Sequence, residues 1–109
     1  MNVSELSCAL GLTPVALADG ERAVTGAYCG DLLSWVMGRA RRGDAWITIM
    51  TNMNVVAVAS LADAACVILA EGVSMEQAVA DAALARGVNL LSSPRTAYEI
   101  AAALSDILK

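Results

Sequence analysis

Small polar residues that follow predicted strands are the residues of this sequence best suited to contact a ligand. They are Gly30, Asp31, Thr51, Asn52, Asn54 and Ser92. In an open parallel sheet, ligands bind beyond the carboxyl ends of the strands, where the following helices offer free N–H groups. The sequence therefore predicts a site for a small anionic ligand at this edge. The same residue types also cap helices, and a partner-binding edge is a third interpretation.

Catalytic chemistry has little support in the residue types present. The chain has no histidine and its only lysine is Lys109, so a serine or cysteine nucleophile lacks its usual bases. Cys29 would gain thiolate character beside a helix N-terminus, although a buried structural thiol is the alternative interpretation. The carboxylates show no paired spacing, and no GxxxxGKS or GxxxxGKT loop is present. We expect no enzyme activity.

Charge and cysteine content narrow the class of ligand and the cellular compartment. The formal net charge is −4, which argues against nucleic acid because phosphate backbones need clustered cations. Arg39, Arg41 and Arg42 form a basic cluster, which we assign to a helix C-terminus, where cations complement the helix dipole. The three cysteines lack metal-ligand spacing. They predict reduced thiols in the cytoplasm, with no metal site and no disulfide framework. We also expect no cofactor.

Length and composition predict a single domain, residues 1–109, that self-associates. Hydrophobic residues make up 58% of the chain and charged residues 17%. Little polar surface is left to cover a small globule, so we expect a homodimer. A membrane span is not expected, because the longest apolar stretch contains Asp63 and is shorter than the roughly 20 residues required. Nor does the N-terminus, with Asn2 and Glu5, have the basic region of a signal peptide.

The succession of apolar and polar segments predicts an alternating α/β fold. Residues 45–50 and 65–70 lack a polar face, which is typical of parallel strands buried on both sides. Because parallel strands need a crossover, the valine-rich run 54–63 is assigned to a helix. Further strands are predicted over 14–18, 23–28 and 88–91, and further helices over 2–10, 31–40, from 74 and from 93. We expect a three-layer sandwich with a mostly parallel sheet of about 4–5 strands and helices on both faces.

Capping residues predict where three of the helices begin. Asn2 with Glu5, and Ser74 with Gln77, have the spacing of a capping box. The dipeptide Ser93-Pro94 places a proline where the first helical position would accept it. We therefore expect helix starts at these points.

A dispersed motif lies in the segment DGERAVTGAYCGDLL. Its members are Asp19, Arg22, Thr25, Gly26 and Gly30. Together with GDLLSWVMGRARRGDAWITI and NVVAVASLADAACVILAEG, this segment resembles stand-alone members of the DRTGG domain family over residues 3–108. The resemblance implies an accessory domain of the kind found in phosphate acetyltransferases and in some CBS-containing pyrophosphatases. Such domains are similar to the N-terminal, non-catalytic domain of HPr kinase/phosphorylase.

The resemblance implies no catalytic residues for this chain. Thr25 and Gly26 join the candidate ligand-binding residues as motif positions, while a structural role, including an ion pair between Asp19 and Arg22, would explain the motif equally. We expect a non-catalytic regulatory or sensing module whose ligand is a nucleotide or a phosphorylated metabolite. The alternative is a structural module that binds a partner protein and no small molecule.

Overall fold

Helices and strands alternate along most of the chain in the computed structural model, which describes residues 1–108. In chain order the elements are α1 (Val3–Leu10), β1 (Thr13–Ala16), β2 (Gly26–Cys29), α2 (Leu33–Arg39), β3 (Asp44–Thr48), α3 (Met53–Ala62), β4 (Cys66–Leu69), α4 (Gln77–Ala85), β5 (Leu90–Ser92) and α5 (Ala97–Ile107). Strands β3 and β4 are buried along their whole length. Their lack of a polar face is explained by helices packed on both sides of the sheet.

The strands form one five-stranded sheet in the order β1-β5-β4-β3-β2. Strands β2 to β5 are parallel, and β1 is antiparallel to β5. One apolar cluster, which includes Leu6, Ile47 and Leu104, lies between the sheet and helices α1 and α5. A second cluster, around Trp46 and Val56, lies on the face covered by α2, α3 and α4. The prediction of a three-layer α/β sandwich with a mostly parallel sheet is confirmed.

Helix α1 begins where its cap predicts. Asn2 Oδ1 accepts from the Glu5 N–H at 2.8 Å, and the Glu5 carboxylate accepts from the Asn2 N–H at 2.9 Å. Helix α3 likewise begins after Asn52, whose Oδ1 accepts from the Asn54 N–H at 3.0 Å. Local capping chemistry is sufficient to set both starts.

Helices α4 and α5 begin later than predicted. Glu76 precedes α4 without a side-chain cap bond, so the capping box expected at Ser74 is not used. Helix α5 is capped by Thr96, not Ser93, and the Glu99 carboxylate accepts from the Thr96 N–H at 3.0 Å, which lowers the pKa of Glu99. The Gly72 N–H donates to the Ser93 carbonyl at 3.0 Å. The Ser93 carbonyl is thus bonded to another loop, outside α5.

The helices are short. The longest, α5, has 11 residues, and the strongly apolar α3 has 10. No helix within residues 1–108 is long and apolar enough to cross a membrane.

Candidate functional site

The loops that follow β2 to β5 form the carboxyl rim of the sheet, where the sequence predicts a ligand. Asp31 ties the first of these loops to the end of β3. Its Oδ1 accepts from the Thr48 hydroxyl at 2.7 Å and from the Ile49 N–H at 3.0 Å. The Thr48 hydroxyl oxygen in turn accepts from the Met50 N–H at 3.2 Å. One oxygen of the Asp31 carboxylate is thus engaged in holding two neighbouring strand ends together.

Part of the predicted set gathers on the rim between α3 and α4. Thr51, Asn52 and Glu76 line a cavity of about 380 Å³ there. Asn54 is exposed in the first turn of α3. Ser92 lies apart from this cavity, because β4 separates β5 from β3. The rim therefore joins Thr51 and Asn52 in one cavity and leaves Ser92 outside it.

Acidic side chains dominate the carboxyl rim. The charged residues of its loops and first helical turns are Asp31, Glu71, Glu76, Arg95 and Glu99. All of them are exposed. A phosphorylated ligand placed here would meet a surplus of negative charge.

The opposite end of the sheet holds a cluster of charges around Asp63. This residue ends α3 in the left-handed region, with φ 57°. Arg22 donates to its carbonyl at 2.7 Å and pairs with its carboxylate at 2.9 Å. Arg42 pairs with the other carboxylate oxygen at 3.0 Å. Arg22 thus pairs with Asp63, not with Asp19 as the motif suggests.

The motif residues Thr25, Gly26 and Gly30 have structural tasks along β2. The Thr25 N–H donates to the Gly43 carbonyl at 2.9 Å. A Cβ at Gly26 would lie 2.6 Å from an oxygen of Asp44. The Gly30 carbonyl accepts from the indole N–H of Trp46 at 2.9 Å. These contacts fix β2 against β3 and explain why a larger residue at position 26 would displace Asp44.

Beside β2 lies the arginine pocket, which we define as the cavity of about 460 Å³ lined by Arg39, Arg41, Arg42, Asp44 and residues 25–28. It contains three of the chain's seven cationic residues. The Arg39 guanidinium stacks 3.8 Å above the ring of Trp35, a cation–π contact. The Asp44 carboxylate, which is buried, accepts from the Arg41 backbone N–H at 2.7 Å.

The guanidinium of Arg41 is available to bind a ligand in this pocket. It is exposed and makes no ion pair or hydrogen bond with the residues that the structure describes. Arg42 forms an ion pair with Asp63, but 86% of its side chain is still accessible to solvent. The pocket therefore presents free N–H donors of fixed positive charge to solvent.

The three thiols differ in burial, and neither Cys29 nor Cys66 is activated as a nucleophile. Cys66 is buried, which raises the pKa of its thiol to about 12 although Arg22 acts in the other direction. Cys29 is exposed, contrary to the buried interpretation, and partial desolvation together with the Asp31 carboxylate raises its pKa. Raised pKa values mean less thiolate at neutral pH.

This ordering predicts a labelling pattern. In native protein treated with iodoacetamide at about pH 8, Cys8 and Cys29 should be alkylated and Cys66 should not, because only thiolate that solvent reaches can react. All three cysteines should react in urea. Mass spectrometry counts the adducts, and rapid labelling of Cys66 in folded protein would contradict the assigned burial.

The structure divides the eight predicted ligand residues between the two ends of the sheet. Asp31, Thr51, Asn52, Asn54 and Ser92 lie at or near the carboxyl rim. Thr25 and Gly26 lie at the other end of the strand and line the arginine pocket, and Gly30 follows the strand. Sequence reasoning did not identify the arginine cluster as a candidate site. The available signal was the concentration of cations just before β3 in an acidic chain.

Comparisons with known proteins show the fold. No family model matches the chain, and no curated protein matches it significantly. A similar solved structure is the crystal structure of the CBS and DRTGG domains of the regulatory region of Clostridium perfringens pyrophosphatase, complexed with the activator diadenosine tetraphosphate. The TM-score is 0.72 at 9% sequence identity. The match covers 94% of this chain but only 45% of that one.

This likeness concerns the fold. The fold is an α/β fold shared with a regulatory region. Taken with the motif from Asp19 to Gly30, the fold supports a DRTGG-like domain.

Proposed function

We propose that this chain is a non-catalytic regulatory module that binds a small anionic ligand, such as a nucleotide or a phosphorylated metabolite, in the arginine pocket. The observation that carries this proposal is the convergence of Arg39, Arg41 and Arg42 on one cavity in a chain whose net charge is −4. The fold supports the regulatory role, because the similar solved structure is a regulatory region in complex with an activator nucleotide.

Electrostatics favour the arginine pocket over the carboxyl rim. Guanidinium groups form strong, charge-assisted hydrogen bonds with phosphate. The Arg41 guanidinium makes no ion pair or hydrogen bond within residues 1–108, so it is available for such bonds. Asp44 opposes an anion, but its carboxylate is partly satisfied by the Arg41 backbone N–H. At the rim, the only charged residue that lines the cavity is the acidic Glu76, and the Asn52 side chain already caps α3.

The proposal assigns no reaction to the chain. The sequence has no histidine, and the exposed thiol of Cys29 has a raised pKa. The arginine pocket supplies cations that bind an anion, and its one carboxylate, Asp44, is buried and already accepts a hydrogen bond from the Arg41 backbone N–H. The chain spans 45% of the similar regulatory region, so activities of the larger pyrophosphatase are not transferred to it.

We also infer that the chain works as a cytoplasmic homodimer. Its three cysteines are free thiols, which suits a reducing compartment. Leu61 and Tyr98 are 73% and 82% exposed. A twofold contact between two copies of the chain would cover part of such exposed apolar surface.

Binding of ATP tests the ligand proposal, with the double variant Arg41→Ala/Arg42→Ala as the site probe. We expect titration calorimetry to show at least about tenfold weaker binding for the variant, because hydrogen bonds to charged groups contribute about 1.5–3 kcal/mol and salt screens part of this. At about 100 times its Kd, ATP should stabilise the wild-type chain by about 2.7 kcal/mol. Phosphate release from ATP should stay at background.

Matched variants distinguish binding in the arginine pocket from binding at the carboxyl rim. Arg86→Ala removes an exposed arginine at the end of α4, and Thr51→Ala/Asn52→Ala alters the rim cavity. Both should bind ATP as the wild type does. If only Thr51→Ala/Asn52→Ala weakens ATP binding, the ligand binds at the carboxyl rim. If ATP, pyrophosphate and diadenosine tetraphosphate all fail to bind at about 1 mM, the ligand proposal is wrong.

A further inference from the structure

Strand β2 is an edge strand whose outer side pairs with no other strand of residues 1–108. An open edge exposes N–H and C=O groups with which another chain can pair. The edge strand on the other side of the sheet, β1, contains Pro14, and its register is irregular between Pro14 and Ala16. Proline and irregular register both discourage strand addition. Strand β2 contains neither proline nor a charged residue, so it is the accessible edge.

A pocket lies beside β2 on each face of the sheet. On the α5 face, a cavity of about 390 Å³ is lined by Ile47, Ala101 and Leu108. On the α2 face lies the arginine pocket, of about 460 Å³. Residues 25–28 line both cavities. Because side chains of a strand alternate between the two faces, a strand added to β2 would direct successive side chains into the two pockets in turn.

The chemistry of the two pockets specifies the added strand. The cavity lined by Ile47 and Leu108 suits aliphatic side chains, and the arginine pocket suits carboxylates. We propose that the β2 edge binds an extended peptide segment of a partner protein in which acidic and aliphatic residues alternate, adding it to the sheet as a further strand. The β2 strand of a second copy carries no carboxylate and does not supply this pattern.

This inference goes beyond the proposed small-molecule function. It uses the arginine pocket but also requires the backbone edge of β2 and the apolar cavity, which a nucleotide does not need. Peptide binding and ATP binding are separate measurements, so either proposal can fail while the other stands.

Fluorescence anisotropy with a labelled peptide of alternating valine and glutamate tests the inference on the intact chain. We expect saturable binding, weakened at least about tenfold when lysine replaces glutamate. N-methylation of every second amide removes the hydrogen bonds on one edge of the peptide only. One of the two alternately methylated peptides should therefore bind at least about tenfold more weakly than the other. Equal binding of both methylated peptides would contradict strand addition.

Variants of the protein locate the site. Arg41→Glu and Ala101→Glu should each weaken peptide binding by about tenfold. Arg41→Glu would repel the glutamates of the peptide from the arginine pocket. Ala101→Glu would place a carboxylate in the apolar cavity. Arg86→Glu, which changes an exposed arginine at the end of α4, should bind as the wild type does. Bound peptide should also slow hydrogen exchange at the β2 amides. If the peptide does not bind at about 1 mM, the proposal is wrong. It is also wrong if sedimentation shows a dimer that excludes the peptide.

Discussion

Replacement of Trp46 by alanine is expected to lower the free energy of unfolding by about 3–5 kcal/mol, the cost of truncating a large aromatic side chain in a core. Trp46 is completely buried on the α2 and α3 face of the sheet. Its indole N–H also donates to the Gly30 carbonyl at 2.9 Å, which fastens the end of β2 to β3. The variant loses both the packing and the hydrogen bond. Domains of this size have about 5–15 kcal/mol of stability in total, so the loss is a large fraction.

Urea unfolding followed by far-ultraviolet circular dichroism measures this loss. Trp46→Phe keeps an aromatic ring and removes the N–H donor, so it should cost less than alanine. Trp35→Ala is the matched control, because Trp35 is 51% exposed and contacts Arg39 over its ring. We expect that control to stay within about 1 kcal/mol of the wild type. A Trp46→Ala loss as small as that of Trp35→Ala would contradict the assigned burial.

Replacement of Asn89 by leucine is expected to cost about 3 kcal/mol. Asn89 is 2% exposed and its amide holds two segments distant in sequence. Its Oδ1 accepts from the Asp19 N–H at 2.8 Å, and its Nδ2 donates to the carbonyls of Asp19 at 2.8 Å and Ala65 at 2.9 Å. Leucine has a side chain of similar size but cannot form hydrogen bonds, so these three backbone groups lose their partner. The bond to the Ala65 carbonyl is buried, and a buried polar group that loses its partner costs about 1–3 kcal/mol; the two bonds to Asp19 are part-buried and add to this loss.

Chemical denaturation combined with hydrogen exchange distinguishes a local from a global effect. In Asn89→Leu, we expect the Asp19 amide to exchange faster in addition to the global loss of stability. Asn54→Leu, an exposed position at the start of α3, should change stability by only about 0.5 kcal/mol. Unchanged stability and exchange in Asn89→Leu would show that the amide bonds contribute nothing to the fold.

The fold class was predictable because its signals are local. Strands β3 and β4 have no polar face, and the run between them must be a crossover, so hydrophobic pattern and chain connectivity were sufficient. The cap of α1 depends on Asn2 and Glu5 alone. Helix α5 begins after a segment that is bonded to another loop, as from the Gly72 N–H to the Ser93 carbonyl, and α4 begins without the expected cap bond from Ser74. No local pattern reports such contacts.

Contacts between distant residues also explain why the site was only partly predicted. The rim residues follow from strand ends, which the hydrophobic pattern locates. Arg22 pairs with Asp63, 41 positions away, whereas the motif suggested its neighbour Asp19. The arginine pocket forms because α2 returns the chain to the amino end of β2, which is an edge strand. Strand order is not encoded in any single segment, so the sequence could not show which strand would be left open.

The two tryptophans make the unmodified chain its own optical reporter. Trp46 is sealed in the core, so its emission should resist aqueous quenchers and report on folding. Trp35 is half exposed and lies beneath the Arg39 guanidinium, a residue that lines the arginine pocket. An occupant that draws Arg39 off the ring would alter the emission of Trp35 alone. Iodide, a quencher that is itself an anion, would be attracted by the same arginines and would quench the emission of Trp35 preferentially. Occupancy and unfolding would thus be separable by quenching, without an attached dye.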